Sequence, residues 1–262
     1  MNSKLPLLAA PLLGLLLSGL ACAQEGELTG EKILRTVEKT HRSKDEVALV
    51  EVVLVDAENK RRKRSMRTLF KAGEDENDKT ITEFLDPPDV KGTAVLTVEA
   101  SDRADDQWIY LPALKKAKRI ASANRTNRFA GTDFAFEDLR TESFTANTYT
   151  REPNQKLGKT PVFVVVATPK PKRVSGYSKR VLYVEQERFL VHKVEYYDKA
   201  GKLKKTLTNK SFKKVQGLWR TEIAAMSDHQ RKTKTVMRFG KRKINKGLPK
   251  SRFTVVSLER GS

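Results

Sequence analysis

The sequence predicts a mainly β protein built on one antiparallel sheet in a single domain, and three observations predict it. About a dozen short apolar segments with period-two alternation succeed one another from residue 47 onward, at the spacing of a meandering sheet. Clusters of Gly, Pro, Asn and Asp separate them, where a chain must turn. Strands do not alternate with long helices, which argues against a parallel nucleotide-binding sheet. The chain has 262 residues, long enough to bury roughly 70% of its unfolded surface without a metal or disulfide staple.

The first element is the one convincing early helix. Over residues 29–41, Ile33, Leu34 and Val37 share one face, and Glu31, Lys32, Arg35, Glu38 and Lys39 lie elsewhere. Residues 47–55 are apolar on both faces except at Glu51, which predicts a strand covered on both sides. Glu58-Asn59-Lys60 turns the chain into a strand over 62–70, and the loop formers of 73–78 end it. Short strands are expected at 80–85, 94–98, 107–111 and 115–120, and a short helix at 133–139. Strands then resume at 146–150, 162–167, 181–184, 189–196, 203–207, 218–226 and 233–239. No internal repeat or long linker marks a second domain.

The N-terminus sets the expected compartment. Lys4 precedes an apolar run from Leu5 to Leu20, and Ala21-Cys22-Ala23 offers small side chains at a cleavage site between Ala23 and Gln24. Residues 1–23 therefore read as a secretory signal and 24–262 as the exported, periplasmic domain. The run is shorter than the ~20 residues of a membrane span. A rival reading makes Cys22 the acylated first residue of a lipoprotein, against which Gly19 stands where a larger aliphatic residue is wanted. With 52 Lys and Arg against 32 Asp and Glu, the formal charge is +20. For an exported chain this balance points to anionic membrane surfaces or acidic partners and away from nucleic acid. The basic runs Arg61–Arg64 and Lys115–Arg119 hold the docking candidates Arg62, Arg64, Lys115, Lys116, Lys118 and Arg119.

Motifs for chemistry are missing. Cys22 is the single cysteine, so no thiolate zinc site or iron–sulfur cluster is available. His41, His192 and His229 are too scattered to set a metal site by spacing. The acidic run at 75–80 lacks the glycine that a calcium loop needs at its sixth position, and neither a phosphate-cradling P-loop nor a nucleophile elbow occurs. Glu137-Asp138 and Asp105-Asp106 are neighbours, which point to opposite faces on a strand. No catalysis, cofactor or metal is expected. What does gather, between residues 106 and 140, is a set of large apolar side chains: Trp108, Tyr110, Leu111, Leu114, Phe129, Phe134, Phe136 and Leu139. They read either as sheet core or as the wall of an apolar ligand cavity.

The same stretch carries a family resemblance. Residues 106–120 (DQWIYLPALKKAKRI) and 129–139 (FAGTDFAFEDL), supported by 195–203 (EYYDKAGKL) and 245–249 (NKGLP), resemble the outer-membrane lipoprotein-sorting protein family, which is LolA-like. The resemblance implies a single strongly curved antiparallel sheet, an unclosed half-barrel plugged by a few helices, with an apolar cavity for lipid or lipoprotein acyl chains. It further implies a carrier moving such cargo towards the outer membrane, alongside an inner-membrane transporter that exports lipid. The rival reading is a periplasmic binding or sensor module that docks a membrane complex through its basic face and carries nothing.

Overall fold

The computed structural model describes residues 28–73, 77–100, 103, 105–139, 144–171 and 173–260. The expected signal, with Cys22, Ala23 and Gln24, lies outside the described residues. Helix α1 (Gly30–His41) opens the chain. The Thr29 side chain caps it by accepting from the Lys32 amide at 3.2 Å, with Glu31 in the first turn and Lys39 and His41 in the last, an order that suits the helix dipole. Six strands follow: β1 (Asp45–Val55), β2 (Arg61–Lys71), β3 (Lys79–Asp86), β4 (Ala94–Val98), β5 (Asp106–Leu111) and β6 (Lys116–Arg119). After a crossing segment come β7 (Asn147–Leu157), β8 (Thr160–Pro169), β9 (Lys179–Glu185), β10 (Val191–Tyr197), β11 (Leu203–Val215), β12 (Leu218–Asp228) and β13 (Thr233–Ile244), and then a short helix α2 (Val255–Arg260).

These thirteen strands form one antiparallel sheet in the order β6-β5-β4-β3-β2-β1-β13-β12-β11-β10-β9-β8-β7. The first strand pairs with the last, Val52 opposite Met237. The chain thus meanders out to one edge, crosses to the other, and meanders back. The edges β6 and β7 stay unpaired with each other, so the sheet is not closed.

The curl of the sheet follows from its core. One cluster unites Val50, Val52 and Leu54 of β1, Met66 of β2, Phe84 of β3, Val95 of β4, Val194 and Tyr196 of β10 and Met226 of β12. Strands so far apart in the order share a core only if the sheet bends round it. A second cluster covers the opposite face at the β2–β6 end, where Leu69, Ile81, Ala94 and Leu96 meet Phe253 and Leu258 around α2. Neighbouring residues on β4, Val95 and Leu96, fall into different clusters because successive side chains point to opposite faces.

The structure departs from four expectations. β1 buries Ala48, Val50, Val52 and Leu54, but Leu49 is 43% exposed on the other face, since α2 shields only the far end of the outer surface. Residues 133–139 form only a single 3-10 turn, Phe136–Asp138, because the segment folds back on itself, Phe129 N–H to Phe134 O and Phe136 N–H to Asn127 O, while strand side chains take up the Asp133 amide and carbonyl and the Phe136 carbonyl. β7 runs on to Leu157 through a polar stretch. Pro153 is tolerated there because β7 is an edge strand and its register shifts between Glu152 and Gln155. α2 was not expected at all, being only six residues long.

Candidate functional site

Two cavities adjoin on the concave face, each with Glu46 and Phe70 in its wall. The first, about 370 Å³, lies under α1. Leu34, Val37 and His41 fall at helical spacing and face it, opposite Phe70 of β2, Tyr149 of β7, Leu182 of β9 and Val191 of β10. The second, about 340 Å³, lies between β2, β13 and the crossing segment, with Met66, Phe134, Leu139, Met237 and Phe239 in its wall. Each has the volume of an ordinary small-molecule pocket.

α1 roofs the first cavity because it is pinned at both ends. At its start Gly30 lies so close to the sheet that a Cβ would meet the Thr150 carbonyl carbon and Val165 Cγ1 at 3.1 Å, while Ile33 is buried with Val165 and Val184. Arg151 Nη1 also donates to the Leu28 carbonyl at 3.0 Å. At the other end Arg220 donates from Nε to Glu46 at 2.7 Å and from Nη1 to the His41 carbonyl at 2.9 Å. Arg242 donates to the same Glu46 carboxylate at 2.5 Å. Burial pulls the Arg242 guanidinium below its ordinary range, with Glu46 opposing the shift. Arg42 reaches Glu38 and, at 2.5 Å, Asp78. The cavity therefore has apolar walls and one polar, charge-paired end.

The crossing segment, which joins β6 to β7, plugs the concave face. Its residues 129–139 are held by strands from both meanders. Arg64 of β2 donates to the Ala130 carbonyl, and Gln107 of β5 donates to the Phe136 carbonyl at 2.9 Å. Thr233 and Thr235 of β13 donate to Asp133 at 2.5 and 2.7 Å. Lys205 of β11 donates to the Asp133 carbonyl at 3.0 Å and to Asp138 at 2.7 Å. Tyr177 donates to Asp138 at 2.9 Å. Burial first, then the charges of Asp138 and Glu137, push the Tyr177 phenol far up, so it remains a donor. The plug expected from helices is thus shared between α1 and this irregular segment.

The predicted site residues separate into groups. Phe129, Phe134 and Phe136 are buried in the concave core with Leu139 packed against them, and Phe134 and Leu139 reach the second cavity. Trp108 and Tyr110 point the other way, into the outer cluster beside Phe253 and Leu258. Leu111 is half-buried and Leu114 is 53% exposed, because the chain turns at the 3-10 turn Pro112–Leu114. Trp108, Tyr110 and Leu114 therefore do not wall these cavities. Among the docking candidates Arg62, Lys115, Lys116 and Lys118 are exposed. Arg119 is exposed and bonded to Asp106. Arg64 is engaged inside, over the Phe84 ring and on Ala130, which removes it from any docking face. Sequence reasoning missed Tyr149, Leu182, Val191 and Arg220. Only Leu34 and Val37 carried a legible signal, the apolar stripe of α1. Among the described residues no group of three or more His, Cys, Asp or Glu is placed to hold a metal ion, and no helix is long and apolar enough to cross a membrane.

Comparison with known proteins agrees with this architecture. A family model described as "Uncharacterized protein" matches residues 76–260. No curated protein matches the sequence. The crystal structure of an outer membrane lipoprotein-sorting protein domain from Vibrio parahaemolyticus is 34% identical, with a TM-score of 0.84, over 88% of this chain and 98% of that one. A DUF1329 family protein from Desulfovibrio piger shares the fold at 24% identity and a TM-score of 0.83, over 87% of this chain and 97% of that one. A LolA superfamily protein from Nitrosomonas europaea shares it at 21% and 0.70, over 86% and 97%. With an open, curled sheet, a plugged concave face and a relative this similar over its whole length, the chain belongs to the outer-membrane lipoprotein-sorting, LolA-like family.

Proposed function

We propose that the protein is a periplasmic carrier that holds the acyl chains of a lipid or lipoprotein beneath α1 and delivers them towards the outer membrane. The observation that carries the reading is the pair of adjoining cavities on the concave face, the larger about 370 Å³ and roofed by an amphipathic helix. Each methylene moved from water into such a space contributes about 0.8 kcal/mol, so a dry cleft and a roof that can lift are enough for carriage. No chemical step is required of the protein. The exposed Arg62, Lys115, Lys116 and Lys118 serve as a face for an anionic membrane or a membrane-bound exporter, the donor of the cargo. The secretory reading of residues 1–23 supports the compartment.

Native mass spectrometry of protein purified without detergent should show a bound acyl species, and a fluorescent fatty-acid probe should bind and be displaced by lipid. Bare protein that also ignores the probe sinks the carrier in favour of a docking module.

A further inference from the structure

The polar end of the cavity under α1 holds two groups that the fold leaves unused. His41 Nε2 lies 2.8 Å from the Arg188 carbonyl oxygen, which can only accept, so Nε2 carries the ring proton. Nδ1 of the neutral ring is then an acceptor. It is buried and has no hydrogen-bond partner. Arg220, which lines the same cavity, spends Nε on Glu46 and Nη1 on the His41 and Trp219 carbonyls, and its Nη2 donates to none of the described residues. An unfilled acceptor and an unfilled donor thus stand at the end of an apolar channel walled by Leu34 and Val37.

Building on the carrier reading, we propose that this end is a headgroup site for a carboxylic acid, and that the cargo it selects is a free fatty acid. The carboxyl oxygen accepts from Arg220 Nη2, and the carboxyl hydroxyl donates to His41 Nδ1; equivalently, a carboxylate binds with the proton shifted onto Nδ1. Charge balance favours this head over more anionic ones. Arg42 bridges Glu38 and Asp78, and Arg220 and Arg242 share Glu46, so three guanidinium groups meet three carboxylates and leave no surplus cation for a phosphate. A carboxylic acid adds no net charge and satisfies both groups. An ester lacks the hydroxyl and satisfies Arg220 only, while an alcohol offers a single oxygen that must serve both groups at once. Nδ1 is closed off from solvent, so the head reaches it by a turn of the His41 ring about its bond to the Arg188 carbonyl, with the last turn of α1 kept in place by Arg220.

The test uses the full mature protein and four ligands with one tail: palmitic acid, methyl palmitate, hexadecanol and hexadecyl phosphate, each displacing a fluorescent acyl probe. Palmitic acid should bind about tenfold more tightly than the other three, the worth of one added hydrogen bond. His41→Leu should bring acid and ester within about twofold. If acid and ester bind alike in the native protein, the headgroup site is wrong and the carrier stands. Tighter binding of the phosphate overturns the choice of a carboxyl. If none of the four binds, both readings fall. The native ligand series decides even where His41→Leu does not fold.

Discussion

Single residues in this protein are constrained most by buried charge. Lys205 and Asp138 lie 2.7 Å apart with almost no solvent contact, and removing one partner leaves the other a buried charge without its counter-ion. Asp138→Ala should cost about 3–5 kcal/mol in urea unfolding. Lys205→Met combined with it should cost clearly less than the two single changes added, because the stranded ammonium has gone. Glu195 shows the same logic in titration. Burial pushes its carboxyl up, but hydrogen bonds from Lys193, Tyr197 and Tyr183 outweigh that and hold it below its usual range. Tyr183 is itself pushed up to about 12 by burial and by Glu195, so it stays a donor. A carboxylate held low stabilises the fold above the unfolded value of about 4.3, and this contribution is lost as pH falls through the lower folded value. Glu195→Gln should therefore flatten the fall of the urea midpoint as pH drops below about 4.3, the unfolded value. The Lys205 pairing was not legible beforehand. Lys205 reads as one more solvated strand lysine, because its partner lies 67 residues away.

At the scale of elements, α1 and the crossing segment divide the work of covering the concave face. Phe129 packs against Phe84 and Phe136 with ring centroids at 5.1 and 5.7 Å, deep in the core. Phe129→Ala should cost about 3–5 kcal/mol, measured by chemical denaturation, because the segment cannot collapse to fill the hole. Val37 faces the cavity from the helix, so Val37→Trp fills space that is already open. It should weaken acyl-probe binding about tenfold or more and leave the unfolding midpoint within about 1 kcal/mol of the native protein. Equal loss of stability would place Val37 in ordinary core. α1 was plain in the sequence because its apolar stripe repeats locally, at the helical period. The crossing segment was mistaken for a helix at 133–139 because its apolar residues are spaced closely, whereas strands on both sides fix its path. Trp108 and Tyr110, two residues apart on β5, share a strand face, and that face packs outward beside α2.

For the whole molecule, the open sheet sets the concave face with its two cavities apart from the exposed Lys115, Lys116 and Lys118. Lys115, Lys116 and Lys118 sit at or beside the edge strand β6, away from α1. Reversing all three to Glu should weaken binding to anionic vesicles and remove most of its salt dependence, checked by flotation at low and high salt. Acyl-probe binding should survive, and a parallel loss of both would contradict two separate surfaces. The amino-acid order by itself determined the class of fold, nearly every strand, the leading helix, the absence of motifs for catalysis and the family likeness. All of these rest on periodicity and on runs of adjacent residues. Only the tertiary structure decided the pairing of the first strand with the last, the inward and outward faces, and the meeting of Glu46 with Arg220 and Arg242. Those depend on contacts between residues far apart in the chain, and alternation along one strand carries no information about which neighbour it will curl against.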